Sequence, residues 1–329
     1  MNNIFIGLPN NDKYNCCFFN AGLQLCRYIC LDIFTHIDIT NTILLNTEYI
    51  HYDFLKCLYE FYTQPNVSIH LFKELYKHIF IISTSLKQYE QEDSCEIIQI
   101  ITDVLKDAIV EYGKKTQKQK EYVDKAKEYI IVIFNQLLIC NNCKKFKICD
   151  EQRETMLISY ALNVERSPIP FNRIIASALD CHSVNVDDFK CGCDNINKKH
   201  VIQMALVNVP KYLLIKIGRV NVMGERVNGI ITIATQFTIS TPIDLFKRCV
   251  NNDDIDNIKY NNYILIGITI HVGNAKNGHY YSYVKNNIIE EDTKWLCCDD
   301  MHIQEVGLEQ VLMDGQQNGA ILLYKQHQV

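Results

Sequence analysis

The spacing of apolar residues changes character about halfway along this chain of 329 residues. From Asn20 to about Ile133, apolar residues recur every three or four positions, which is typical of amphipathic helices. From Met156 onward, short runs rich in β-branched and aromatic residues predict strands. These strands are expected at Met156 to Val164, His200 to Val209, Tyr212 to Ile217, Ile230 to Ala234, Tyr263 to Val272, His279 to Lys285 and Ile321 to Tyr324. Helices followed by strands indicate an α+β architecture.

The composition excludes several classes of protein. A net charge of -5 argues against a nucleic-acid binder that depends on overall positive charge. The most apolar stretch, Tyr129 to Cys140, is interrupted by Asn135 and Gln136, so no membrane span is expected. Met1 to Leu8 lacks the features of a signal peptide. The 15 cysteines are therefore expected to be thiols or metal ligands, which indicates a protein that acts inside a cell. The expected location is the cytoplasm or nucleus, or a host cell or virion if the chain is viral.

Two distant segments carry the groups of a thiol hydrolase. Residues 15–24 read NCCFFNAGLQ and place two adjacent thiols where a loop enters a predicted helix, whose N-terminus stabilises a thiolate. Residues 278–283 read GHYYSY and place His279 on a predicted strand after a polar loop. A thiolate is a strong nucleophile near neutral pH, and an imidazole can take and return its proton. The pair predicts an enzyme that cleaves acyl bonds.

Four segments resemble, in order and spacing, the ubiquitin-specific proteases. Gly7-Leu8-Pro9-Asn10 and residues 15–24 are similar to the family's Gly-Leu-x-Asn and Asn-Thr-Cys-Tyr-x-Asn-Ser-x-Leu-Gln segments. Residues 91–98, QEDSCEII, resemble its Gln-x-Asp-Ala-x-Glu-Phe-Leu helix start. Residues 263–283 resemble its His box, and residues 295–300, WLCCDD, resemble its Trp-x-x-Phe-Asp-Asp segment. The resemblance runs across nearly the whole chain.

The resemblance implies a papain-like cysteine protease fold with a helical thumb, a β-rich palm and β fingers. On this basis residues 1–329 form a single catalytic domain, in which residues 1–133 are the mainly helical thumb. Residues 134–329 then form the fingers and palm, with the fingers at about 134–215.

The register of the resemblance selects Cys17 as the nucleophile, and Cys16, which replaces the usual Thr, is the second choice. His279 is then the general base, and Asp299 orients its imidazolium. Asp300 adjoins Asp299, and capping a turn is the alternative role for one of the two. Strand alternation favours Asp299 as the triad residue. Taken singly, each of these residues is more often structural, whereas their joint order favours catalysis.

The oxyanion-stabilising residue is ambiguous because two extra residues separate Gly7-Leu8 from Cys17. Counting from Gly7 gives Asn10, whereas counting back from Cys17 gives Asp12, whose carboxylate would repel an oxyanion. Donor chemistry therefore favours Asn10 or Asn11. The backbone N–H of Cys17 is a further candidate.

The resemblance also implies substrate-binding residues. Asp93 corresponds to an acidic residue that faces the basic C-terminal tail of ubiquitin. The structural alternative is that Asp93 caps a helix, with Glu96 three residues later. Gly278 and Tyr280 are expected to line a narrow channel for a Gly-Gly tail, although Tyr280 also suits plain sheet packing.

Four cysteines are candidate ligands for a structural Zn²⁺. The family carries such pairs at the fingertips, and here Cys140 and Cys143 form one pair, with Cys191 and Cys193 as the other. The second pair is one residue shorter than usual, and a metal-free tip is the alternative. Substitute ligands are Cys149, Cys181 and His182.

These observations predict a cysteine-dependent deubiquitinase that hydrolyses the bond after the C-terminal glycine of ubiquitin. Ubiquitin or its conjugates are the expected partners, with no nucleic acid and no membrane. The alternatives are a protease for a ubiquitin-like modifier and a catalytically silent ubiquitin-binding module. A zinc-dependent hydrolase is disfavoured because the sequence has no His-Glu-x-x-His motif.

Overall fold

The computed structural model describes residues 5–10, 15–36, 49–64, 67–88, 90–140, 143, 146–162, 168–177, 182–185, 199–221, 223–241, 259–274, 277–288 and 294–327. The described helices are α1 (Cys17–His36), α2 (Tyr52–Thr63), α3 (Ile69–Ile82), α4 (Ser94–Lys115), α5 (Gln119–Ile130), α6 (Phe171–Ser177) and α7 (Leu308–Asn318). None of them combines the length and the apolarity needed to cross a membrane.

The strands form two sheets. A four-stranded sheet has the order β2-β1-β5-β4, and its strands are β1 (Val132–Cys140), β2 (Phe146–Thr155), β4 (His182–Asn185) and β5 (Lys199–Asn208). A larger sheet has the order β11-β10-β9-β8-β12-β6-β3, with β7 paired to β8. Its strands are β3 (Leu157–Ala161), β6 (Tyr212–Gly218), β7 (Gln236–Thr241), β8 (Lys259–Gly273), β9 (Gly278–Lys285), β10 (Trp295–Asp299), β11 (His302–Val306) and β12 (Gly319–His327). Helices α1 to α5 therefore precede the strands, as the sequence predicts, whereas α6 and α7 lie among the strands in chain order.

Helix α1 lies at the centre of the helical half, because its residues from Cys17 to Cys30 are buried on every face. A helix that is buried on every face is a core helix. Its glycine permits close packing on α4, since a Cβ at Gly22 would lie 2.9 Å from a side-chain carbon of Ile97. The position of Cys17 at the start of α1 is thereby fixed by the core.

Helix α1 also packs against β9, β8 and β10 of the large sheet. The buried hydroxyl of Ser282 on β9 donates to the backbone carbonyl of Ala21 on α1 at 3.0 Å. This bond joins the helix that carries Cys17 to the strand that carries His279.

The predicted strand from Ile230 to Ala234 is wrong. The segment makes only an isolated bridge between Ile231 and Ile169. Its backbone donors are used elsewhere, since the N–H of Ile231 donates to the carbonyl of Gln316 at 3.1 Å. The alternation of apolar residues instead reflects burial of Ile231 and Ile233, and Ile233 lies against Gly315 of α7.

Candidate active site

The nucleophile candidate occupies the first residue of α1. Asn15, two residues earlier, has a φ of 45°, so the chain turns sharply into the helix. The Cys17 side chain is only 5% exposed. The unpaired N–H groups of the first helical turn surround this position and favour negative charge there.

His279, the second residue of β9, is hydrogen-bonded to both other members of the predicted triad. Its Nε2 lies 2.6 Å from Oδ1 of Asp299, and its ring also bonds to Cys17. Because Asp299 occupies Nε2, the nitrogen that faces Cys17 is Nδ1. The pKa of His279 is raised to about 9, mainly by its hydrogen bond to Cys17. Burial lowers this pKa, and Asp299 raises it further. The structure thus brings Cys17, His279 and Asp299 together.

Asp300 has a different place in the structure from Asp299. It lies in the turn between β10 and β11 with a φ of 48°, a conformation that Asp tolerates better than most residues. Its carboxylate accepts hydrogen bonds from the side-chain amides of Asn10 and Asn20, each at 2.7 Å. Asp300 therefore connects this turn to the segment before Cys17 and to α1, rather than to the imidazole.

Asn10 is held beside the nucleophile. Its Oδ1 accepts from the backbone N–H of Cys16 at 2.9 Å, while its Nδ2 donates to Asp300. A side-chain amide nitrogen carries two N–H groups, so one is left for an oxyanion. Its oxyanion role, and that of the Cys17 backbone N–H, stay predictions, and Asn11 lies outside the described residues.

Asp93 caps α4, as the structural alternative predicts. One of its oxygens accepts from the backbone N–H of Cys95 at 2.9 Å. The other accepts from Nζ of Lys216 at 2.8 Å, and the hydroxyl of Tyr280 also bonds to this carboxylate. Burial raises the pKa of Glu96, with Asp93 contributing next. The tail-binding role of Asp93 and Glu96 stays a prediction.

Gly278 lies where no side chain fits. A Cβ there would overlap Nε2 of His271 and lie 2.8 Å from the carbonyl oxygen of Val272. The backbone N–H of Gly278 donates to Oε1 of Gln91 at 2.6 Å. This bond joins the segment that leads into α4 to the start of the strand that carries the imidazole.

A second imidazole nearby is not part of this triad. His271 is 6% exposed and stacks on Tyr280, with ring centroids 4.3 Å apart. Burial, followed by the charge of Arg226, lowers its pKa to about 4. It is therefore neutral near pH 7.

Two residues of this region were not predicted from the sequence. Gln91 lies within the segment 91–98 that carries the family resemblance. Its place in that segment is the one sequence feature that could have indicated a role for it. Lys216 lies on β6, 123 positions from its partner Asp93, and no local pattern links the two.

The predicted metal site is described only in part. Cys140 is buried at the end of β1, and Cys143 is partly buried in the connection to β2. Cys191, Cys193 and Cys181 lie outside the described residues. Within the described part of the chain, the one group of possible ligands close enough to hold a metal is His279, Asp299 and Asp300, which belongs to the catalytic cluster above.

The raised pKa of His279 predicts the alkaline limit of activity. The imidazolium must donate a proton to the leaving amine, so the rate should fall as pH rises through about 9, where that proton is lost. The measurement is the pH profile of kcat/KM with an amide substrate. A rate that stays level well above this pH would show that the imidazolium is not the acid.

A model of the family described as "Ubiquitin carboxyl-terminal hydrolase" matches residues 6–324. The chain is 24% identical over 231 residues to "Ubl carboxyl-terminal hydrolase 18" of Homo sapiens, which covers 68% of this chain and 57% of that protein. It is 27% identical over 114 residues to "Ubiquitin carboxyl-terminal hydrolase 25" of Arabidopsis thaliana, covering 34% of this chain and 15% of that protein. The chain thus spans less than two thirds of these curated relatives.

Solved structures share the fold. One is the SAGA Ubp8/Sgf11/Sus1/Sgf73 DUB module bound to ubiquitin aldehyde, with a TM-score of 0.71, 18% identity, and coverage of 100% of this chain and 70% of that chain. Another is a yeast SAGA DUB module, with a TM-score of 0.70, 17% identity and the same coverage. The predicted α+β, papain-like fold class is confirmed.

Proposed function

This chain belongs to the ubiquitin carboxyl-terminal hydrolase family, and on that premise we propose that it is a thiol-dependent deubiquitinase. Its reaction is hydrolysis of the isopeptide or peptide bond after the C-terminal glycine of ubiquitin. The observation that carries the proposal is the hydrogen bond between Cys17 and His279, with His279 held by Asp299 at 2.6 Å.

The geometry supports a two-step acyl transfer. The Cys17 sulfur attacks the glycine carbonyl, and the resulting oxyanion is stabilised by the Cys17 backbone N–H and by Asn10. His279 donates its proton to the leaving amine, which leaves a thioester on Cys17. A water molecule then attacks the thioester while His279 takes its proton, and the released thiolate restores the starting state.

The activity test is hydrolysis of a fluorogenic ubiquitin C-terminal amide. We expect turnover that is abolished by a thiol alkylator and resists a metal chelator, because the attacking group is a thiolate. Turnover that is lost on brief chelation and survives alkylation would contradict thiol chemistry. Tight ubiquitin binding without turnover would indicate a silent binding module.

A second candidate substrate is a ubiquitin-like modifier. It is favoured by the similarity to the human relative, a Ubl carboxyl-terminal hydrolase that shares 24% identity with this chain. Parallel assays with ubiquitin and ubiquitin-like C-terminal amides separate the two. We expect the higher kcat/KM with ubiquitin.

The proposal includes a structural Zn²⁺ held by Cys140, Cys143, Cys191 and Cys193. Cys140 closes β1 and pairs in register with His200, near the start of β5. Four thiolates would cross-link the end of the small sheet without entering the chemical step. Cys149, Cys181 and His182 remain the substitute ligands.

The zinc content of the purified protein tests the predicted site directly. Purified protein is expected to contain one Zn²⁺ per chain by mass spectrometric metal analysis, and serine at both Cys140 and Cys143 should remove it and lower the melting temperature. Cys57→Ser is the matched control, because Cys57 is a partly buried thiol on α2. Metal-free wild-type protein from a zinc-supplemented preparation would contradict the site.

The proposed site of action is inside a cell. The adjacent Cys16 and Cys17 are both reduced thiols. A reducing compartment preserves a nucleophilic thiol of this kind.

A further inference from the structure

The carboxylate that the sequence assigns to substrate recognition is already paired within the chain. Nζ of Lys216 lies 2.8 Å from Oδ2 of Asp93, and both side chains are about one third exposed, at 33% and 37%. The other oxygen of Asp93 caps α4 through Cys95. A basic residue of a substrate would therefore meet an ion pair and not a lone carboxylate.

Lys216 is held in place by a second contact. Its ammonium also hydrogen-bonds to the Cys95 thiol. Burial lowers the pKa of Lys216, but Asp93 and Cys95 together outweigh it and the net shift is upward. Lys216 is therefore a fixed, fully charged cation on this surface.

The ion pair lies beside the catalytic strand. Tyr280, which follows His279 on β9, bonds to Asp93 through its hydroxyl. Gln91, two positions before Asp93, accepts the N–H of Gly278, which precedes His279. One carboxylate thus contacts both Lys216 and a direct neighbour of the imidazole.

Two further carboxylates, those of Glu92 and Glu96, lie near this pair. Glu92 and Asp93 both raise the pKa of Glu96, whereas Lys216 lowers it. Lys216 is thus the cation that offsets three carboxylates at the start of α4. Without it, the same surface would attract a substrate cation more strongly.

We propose that Lys216 is a specificity-determining residue, whose ammonium occupies the cation position on Asp93 and weakens the enzyme's preference for a basic residue in the substrate's C-terminal tail. This inference rests on the proposed function, since it concerns the same substrate site. The pair is partly exposed, so its effect is modest and is screened by salt.

The experiment compares two variants on two substrates. Lys216→Met keeps much of the aliphatic stem and removes the charge, and Lys106→Met is the matched control, because Lys106 forms an ion pair of similar exposure with Asp103 on α4. The substrates are ubiquitin C-terminal amides with the native basic tail and with its basic residues replaced by glutamine. At low salt, Lys216→Met should raise kcat/KM on the basic tail about two- to fivefold, leave the neutral tail unchanged, and lose its effect at about 1 M salt.

Several results would overturn the inference. An unchanged or lower kcat/KM on the basic tail, an equal rise on both tails, or the same rise in Lys106→Met would each do so. Lys216→Gln should reproduce the result, and melting temperatures of all variants confirm that each is folded. If wild-type enzyme turns over no ubiquitin substrate, the proposed function fails; if it does and Lys216→Met shows no tail dependence, only this inference fails.

Discussion

Replacing Cys17 with alanine is expected to lower kcat for a ubiquitin C-terminal amide by on the order of 10⁴- to 10⁶-fold, the range seen when a nucleophile is removed from a hydrolase triad. Cys17 is the thiol that contacts His279, and no other described group is placed to form the thioester. The melting temperature should change little, since only a sulfur atom is removed.

Cys16→Ala is the matched control, because it removes a thiol from the adjacent residue. The Cys16 side chain is 3% exposed, it bonds to Tyr76, and burial raises its pKa to about 12. It is therefore a protonated core thiol and a poor nucleophile. We expect Cys16→Ala to keep most of the activity, and the reverse outcome would show that Cys16 is the nucleophile.

Replacing Asp299 with alanine is expected to lower kcat on the order of 10²- to 10⁴-fold. Asp299 bonds to Nε2 of His279 at 2.6 Å, so it fixes the ring orientation that directs Nδ1 at the sulfur. It also helps to raise the pKa of His279. The alkaline limb of the pH profile should therefore move below its wild-type position near pH 9.

Asp300→Asn tests the assignment against the neighbouring carboxylate. Asp300 accepts from Asn10 and Asn20, and the groups that raise the pKa of His279 are Cys17 and Asp299, so the loss of the Asp300 carboxylate should lower the melting temperature and leave the alkaline limb in place. If the alkaline limb moves in Asp300→Asn and not in Asp299→Ala, Asp300 and not Asp299 is the residue that orients the imidazole.

The fold class could be predicted because the apolar pattern and the chain order agree. The core helix α1 and the strand that carries His279 both form where their apolar residues predict them. Helix α7 was missed because only Val311 and Gly315 of its residues are buried, which leaves a weak apolar stripe. The segment from Ile230 to Ala234 was instead predicted as a strand and is not one. Its alternating apolar residues are buried against α7, but its backbone does not join a sheet as a strand.

Only those site residues that lie in segments resembling the family could be predicted from the sequence. Cys17, His279 and Asp299 lie in such segments, and the structure brings them together. The ion pair between Lys216 and Asp93 joins β6 to the residue that caps α4, and sequence spacing does not encode this contact. Strand alternation favours Asp299 over Asp300, and the hydrogen bonds of the two side chains show their different partners.

The central claim is that the sulfur of Cys17, activated by His279, attacks the C-terminal carbonyl of ubiquitin. Its most direct test is peptide mapping by mass spectrometry of the adduct formed with a ubiquitin C-terminal electrophile. We predict a single adduct on Cys17 that is slowed by His279→Ala and abolished by Cys17→Ala. An adduct on Cys16, or none in folded wild-type protein, would contradict the claim.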